Sequence, residues 1–441
     1  MDLVLAGQTE DELQSSLEYR LSPTANYITS RRSVRNYPSG ASSLSTNGLR
    51  VARVNIGSDG SSFIDPSTVR VTFTIQNNST TGMLAPVSGP SCFFSRCRVF
   101  CGGQLVEDIP YFHRVSHMFR EVLMSPDWRL NEGIKGYSRR DLNHVQGGDV
   151  MTGVIAPGEA LTVSFAPLCG ILSTGKLLPT RFASLQFEFT MADSLDSCWG
   201  TSLQHGGFAG VPVDFDRDNF VLDNFYIACD VVALDSALEN SFYQVLASGK
   251  SLTIGFPTFA TQFSTLTASQ NVSVNCARAL SRLKSAFITF QTDEQFYNQK
   301  VIHYPHPGGG GADLLGNGRN AIKNVPFRYQ IAIGSRLFPE TPADSVQEQF
   351  THLEKALNLH DISSRQVDID LLGYLETSHV LGMSFEKAPG SAFASGYNLR
   401  SGDLLRVSLE NMDPGRANGM YLTLVHDVVL EIKEMGCSVY D

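Results

Sequence analysis

Cys92-Phe-Phe-Ser-Arg-Cys-Arg-Val-Phe-Cys-Gly-Gly-Gln-Leu-Val-Glu-Asp-Ile-Pro-Tyr-Phe-His-Arg-Val-Ser-His-Met-Phe-Arg-Glu-Val-Leu-Met124 reads as a strand, a glycine turn, a short strand and a helix. Phe94, Arg96, Arg98 and Phe100 alternate with Cys97, Val99 and Cys101, the period of a half-buried strand. Gly102-Gly103 supplies the backbone freedom of a tight turn. After Pro110 the period changes: Val115, Met118, Phe119, Val122 and Leu123 form the apolar stripe of a helix that must lie on something apolar.

The same order of parts returns later. Phe327-Arg-Tyr-Gln-Ile-Ala-Ile-Gly-Ser-Arg-Leu-Phe-Pro339 reads as strand, glycine turn and extended piece. The spacing predicts a helix over 345–359, with Val346, Phe350, Leu353 and Leu357 as its stripe and Ser345 and Glu348 as a capping box. A second pair of stretches agrees: Ile227-Ala-Cys-Asp-Val-Val232 resembles Leu424-Val-His-Asp-Val-Val429. Together they point to a duplicated domain.

Working outward, strands are expected near 49–56, 69–75, 150–155, 159–166, 184–191 and 220–234. In the second half they are expected near 251–265, 270–275, 283–291, 367–373, 379–386, 403–410 and 420–434. Between the halves, Leu238, Phe242, Val245 and Leu246 form a helical stripe over 236–248, with Ser236 and Glu239 at capping-box spacing and Gly249 at the C-cap. This is the connector helix. Residues 1–45 read as an N-terminal arm: a short helix over 9–21, opened by Thr9 and Glu12, then a polar run with Arg31, Arg32 and Arg35. It is either a frayed terminus or an arm that docks on a neighbour or an inner surface. The organisation expected is an arm over 1–45, a first all-β unit over 46–249 that includes the connector, and a second over 250–441. Each is an eight-stranded two-sheet sandwich or jelly roll.

Composition supports that reading. At 441 residues the chain suits two domains rather than one. With 42 % hydrophobic residues and 27 phenylalanines it can fill two cores, and 38 glycines and 19 prolines suit many short strands joined by turns. A net charge of −10 argues against gripping phosphate backbone over the whole surface. The eight cysteines show no C-x-x-C pair and several lie in apolar strands, which fits reduced, buried thiols in a protein made inside the cell. Residues 1–25 lack the basic start and apolar run of a signal peptide, and no stretch approaches the ~18 apolar residues of a membrane span.

Catalytic patterns fail one by one. His113 and His117 have zinc-helix spacing, but Arg114 stands where the general-base Glu belongs; a polar helix edge is the expectation. Ala247-Ser-Gly-Lys-Ser251 ends like a phosphate loop, but Gln244 replaces the required glycine and a helix precedes it. Gly308–Gly311 reads as a flexible loop tip within the long 292–324 segment, beside His303 and His306. Ser281 and Lys284 have the spacing of a nucleophile pair but face opposite sides of a strand. Arg139-Arg140 reads as solvated surface. No catalytic, cofactor-binding or metal residues are assigned.

The run Asp65-Pro-Ser-Thr-Val-Arg-Val-Thr-Phe73, with Phe93 to Asp108, resembles the double jelly-roll major capsid proteins, most closely those of polinton-like and related DNA viruses of protists. The resemblance spans most of 46–441 as architecture. It implies a structural protein, not an enzyme: a homotrimer of pseudo-hexagonal outline that meets neighbouring capsomers, penton and minor capsid proteins in an icosahedral shell. It implies no cofactor and no small-molecule substrate, and a place in the virion. The 292–324 segment would then be an outer loop. The arm would reach the inner face, where packaged DNA or an internal membrane is the contact to be met. The alternative reading is a two-domain β-sandwich carbohydrate-binding or attachment protein, monomeric or dimeric. A jelly-roll enzyme needs clustered histidines and carboxylates, and only His379 and His426 lie on predicted strands.

Overall fold

The structure, a computed structural model, describes residues 27–57, 63–124, 155–193, 197–202, 218–291, 302, 304–309, 327–359, 367, 369, 371–387, 396–399, 402–434 and 436–440. The helix expected over 9–21, Arg139-Arg140, His303 and most of 292–324 lie outside these residues.

The first half contains β1 Ile28–Asn36, β2 Leu44–Ser45, β3 Val51–Ile56, β4 Phe63–Asn77, β5 Gly82–Pro86, β6 Phe94–Cys101, β7 Gln104–Pro110, α1 Phe112–His117, β8 Ala160–Phe165, β9 Leu185–Met191, β10 Cys198–Ser202 and β11 Phe220–Leu234. α1 runs on as a π-helical turn, Met118–Val122. One sheet has the order β1-β11-β4-β8, with β2 also on β11; the other is β3-β9-β6-β7; β5 and β10 form a separate ribbon.

After α2 Ser236–Ala247 come β12 Leu252–Thr265, β13 Val272–Cys276, β14 Leu283–Gln291, β15 Arg328–Ile333, β16 Arg336–Ala343, α3 Val346–Ala356, α4 Leu371–Glu376, β17 Leu381–Ser384, β18 Leu405–Glu410, β19 Gly419–Lys433 and β20 Gly436–Tyr440. They make the sheets β12-β19-β14-β17, with β20 also on β19, and β13-β18-β15-β16. With β2, the β5–β10 ribbon and β20 set aside, each half has eight strands among the described residues. Both halves pair them as first-eighth-third-sixth in one sheet and second-seventh-fourth-fifth in the other. The fold is all-β, two jelly rolls of one topology, and the repeated strand–turn–strand–helix unit occupies the same place in each.

Packing follows from the alternation. Val69, Val71, Phe73 and Ile75 of β4 are all buried. Phe73 meets the rings of Phe93, Phe94, Phe165 and Phe225 at 5.4–6.4 Å. Rings at such separations contribute about 0.5–1.5 kcal/mol per pair beyond the burial of their area, so this cluster is the centre of the first core. On the outer face of the second sheet, Glu188 of β9 receives Arg53 from β3 and Arg98 from β6, a cross-strand charge ladder.

Several expectations need correction. Residues 28–36 and 44–45, placed in the arm, are strands of the first roll; β1 is its first strand, matching β12. Its six leading residues are exposed, so it carries no apolar alternation. Charge holds it instead: Arg31 donates to Asp230 and Asp65, each at 2.8 Å, and Arg35 lies 4.9 Å over the Tyr226 ring. Asp65 also accepts from the Ser67 amide and hydroxyl. That hydroxyl bond, helped by Arg31, holds the Asp65 carboxyl below its usual range. Thr68 accepts from the Asp230 amide at 2.9 Å. The Asp-Pro-Ser-Thr run thus ties β1, β4 and β11 together.

Phe94 does not share the face of Arg96. A bulge between them turns its ring into the core, while Cys97, Val99 and Cys101 point inward as expected. Over 371–376 the chain is helical, not extended, because Tyr374 and Leu375 bury against their surroundings; the Tyr374 ring meets Phe350 of α3 at 5.2 Å and its hydroxyl donates to the Val380 carbonyl. Near 150–155 the described part is one bridge, Leu84 to Ile155. α2 is capped by Asp235, which accepts from the Ala237 amide, rather than by Ser236; Gly249 takes the expected positive φ, and Val245 faces solvent. α3 has the predicted cap: Ser345 accepts from the Glu348 amide.

Candidate functional site

The second half of the quoted stretch becomes the joint between the rolls. Every residue of α1 is buried, so the polar edge expected at His113 and His117 does not exist. His117 Nδ1 is 2.7 Å from Ser88 Oγ, and its ring meets that of Tyr304 at 5.5 Å. Tyr111, which opens the helix at φ 54°, packs on Phe263 and Tyr421 of the second roll. Phe119 packs on Phe259 and Phe287 there, each at 5.1 Å. For Phe119, the apolar surface that the stripe required is the neighbouring roll.

The second roll reaches back. The Tyr304 hydroxyl donates to the Arg114 carbonyl at 2.9 Å, and the Ile302 amide to that of Val87 at 3.3 Å. Ile302 and residues 304–309, the described part of the segment expected as an outer loop, therefore pack inward; the expected tip at 308–311 lies partly outside the described residues. Ile302, Tyr304 and His306 are buried, the Tyr304 amide donates to the Thr377 carbonyl, and Arg416 Nε donates to the His306 carbonyl. The apolar Ile302 and Tyr304 explain why this piece turns inward.

Two buried groups near the joint were not legible in sequence. Glu107 of β7 is buried and accepts from the amides of Gly170 and Ile171 at 2.8 and 3.1 Å. Gly170 in turn lies against the Pro257 carbonyl of β12. Burial pushes the Glu107 carboxyl up to about 7, against the pull of the two amides. Its folded value lies above its usual 4.5, so the native state holds the extra proton between these values. The stability this gives is full below pH 4.5 and lost as pH rises through 7, about 3 kcal/mol in all. Relative to wild type, Glu107→Gln is therefore expected to gain about that much between pH 4.5 and 8 in urea titrations; a difference independent of pH would refute it. The second group is His306 and His379, whose ring centres are 4.4 Å apart inside the second roll.

Lys284 is paired with buried Asp427 at 2.9 Å. Among the described residues no three His, Cys, Asp or Glu side chains are grouped to hold a metal, and no helix is long and apolar enough to cross a membrane. A cavity of about 320 Å³ beside the joint is lined by Arg70, Arg120, Pro167, Pro257 and Phe259 among others. No carboxylate or imidazole lines it, so it lacks an acid–base pair.

Two rolls of one topology, locked by a buried helix, define a double jelly roll. No protein-family model matches the chain, and no curated protein matches its sequence. Solved structures do match. The PBCV-1 virus capsid is 12 % identical, with a TM-score of 0.60 over 96 % of this chain and 100 % of that one. The Sputnik virophage chain is 11 % identical, with a TM-score of 0.57 over 100 % and 93 %. The Faustovirus major capsid protein is 8 % identical, with a TM-score of 0.56 over 95 % and 93 %. At such identities the likeness is one of fold, and it covers both rolls.

Proposed function

We propose that this chain is a structural major capsid protein whose homotrimers form pseudo-hexagonal capsomers of an icosahedral shell. The observation that carries this is the repeated topology held by a buried joint. Two similar rolls fixed side by side give one chain two near-equivalent wedges, and three chains give six. A closed ring of six similar units is a shape that tiles. The structural neighbours, which include a virus capsid and a major capsid protein, support the same reading. We place the division between rolls after α2, with the first roll opening at β1. Neighbouring capsomers are then the partners of the outer strands, and the segment before β1 is what remains to meet minor proteins, DNA or a membrane. On this reading the chain turns over no substrate.

Light scattering on the purified chain tests it. The expected species has a mass of about 145 kDa, three times 48.2 kDa. A monomer at every concentration, with affinity in a glycan screen, would instead favour the carbohydrate-binding alternative.

A further inference from the structure

Cys101 ends β6 in the first roll, and Cys437 lies on β20 in the second. Their sulfurs are 3.8 Å apart across the joint, although 336 positions separate them in sequence. Cys101 is buried; Cys437 is half-buried and open to small reagents. The neighbouring turn makes room for the second sulfur. Gly102 has φ 55°, and a Cβ there would stand 2.9 Å from Cys437 Sγ. β20 pairs its backbone with β19, and Arg282 donates to the Tyr440 carbonyl near its end; a ~2.05 Å sulfur–sulfur bond requires the two sulfurs to approach by roughly 1.8 Å.

We propose that Cys101 and Cys437 are a site of covalent modification: a disulfide that staples the two rolls when the folded protein meets a low-molecular-weight disulfide. The Cys437 thiol, held below its ordinary value by its contact with Cys101, loses its proton first. Its thiolate attacks one sulfur of the reagent, a mixed disulfide forms, and the first small thiol leaves with the proton. Cys101, which the same contact and burial keep protonated, then gives up its proton as its sulfur attacks Cys437 Sγ. The protein disulfide forms and the second small thiol leaves. Two protein thiols are oxidised and one small disulfide is reduced to two thiols. A second close pair, Cys97 and Cys169 at 3.6 Å, has both thiols buried and is expected to react more slowly, although Cys169 borders the cavity beside the joint.

The test uses the full chain, incubated with oxidised glutathione or with dithiothreitol, then mapped by peptide mass spectrometry and melted by calorimetry. Wild type is expected to lose two of its eight thiols and yield a Cys101–Cys437 linked peptide. Its melting temperature should rise by about 3–6 °C over the reduced protein. Cys437→Ser and Cys437→Ala are each expected to abolish both effects. Alkylating native wild type at Cys437 before oxidation gives the same block without a substitution. A stable glutathione adduct on Cys437 with Cys101 free, a Cys97–Cys169 link in its place, or a linked peptide with no thermal shift would each overturn the proposal.

Discussion

Gly170→Ala is expected to unseat one roll from the other. A Cβ at this position would lie 1.6 Å from the Pro257 carbonyl oxygen, 2.7 Å from its carbon and 3.0 Å from Glu107 Oε1. Two of these atoms are backbone, and neither side yields easily. Pro257 sits inside β12, paired with Asp427 of β19. Gly170 is tied by its amide to Glu107. Relief therefore requires the rolls to separate locally or Glu107 to lose a partner. Overpacking costs about 1–3 kcal/mol, and an unsatisfied buried acceptor about as much again. The variant should melt well below wild type, expose protease sites around 166–173 and, on the proposed trimeric reading, give little trimer. Ser173→Ala, in the same turn, should do none of this. A Gly170→Ala protein with wild-type melting and wild-type mass would show that the contact is not needed to hold the rolls.

Acid is expected to open the second roll. His306 and His379 are fully buried, with Phe290, Phe327 and Tyr374 around them. The Gly308 amide donates to His306 Nδ1 at 3.0 Å, so that nitrogen is an acceptor and the ring is neutral. Burial, and then the positive charge of Arg416, hold His306 down at about 3; burial, and then His306 itself, hold His379 well below its ordinary value. Both folded values lie under the unfolded one of 6.5, so the unfolded chain binds the extra protons. Stability is therefore full above pH 6.5 and lost as pH falls toward 3, about 5 kcal/mol for His306 alone. That is comparable with the whole stability of many domains. Circular dichroism should show loss of structure between about pH 5 and 3. His379→Phe removes one titrating ring and should move that midpoint down by about one pH unit. An unchanged midpoint would place the acid sensitivity elsewhere. Glu107 works in the opposite sense: its contribution is lost as pH rises through 7, and that of the histidines as pH falls below 6.5.

The parts that could be read in sequence are those whose signal is local. β4 alternates because one face of its sheet is buried and the other is not. Ser345 and Glu348 lie three residues apart, and their cap is the one seen. β1 escaped because its evidence is distant: Arg31 finds its two carboxylates 34 and 199 positions away. Phe94 was turned by a bulge that no residue type announces. The α1 stripe demanded a partner without naming it, since Phe259, Phe287 and Tyr421 come from strands of another roll. Likewise His306 and His379, or Cys101 and Cys437, become neighbours only when both rolls are closed.

The strand order has a consequence for synthesis. In each roll the first strand pairs with the eighth, so neither can close until its last strand has left the ribosome. β1 must wait for β11, and β12 for β19. At about 5–20 residues per second, the first strand of each roll stays unpaired for roughly 10–40 s. For β12, with Ile254, Phe256 and Ala260 destined for the core, that is a long exposure of apolar surface. The polar β1, held by arginines, can wait in water without sticking to its neighbours. The two rolls share one topology, but the nascent chain meets two different hazards, and a chaperone acting on this protein would have most to do in the second half of translation.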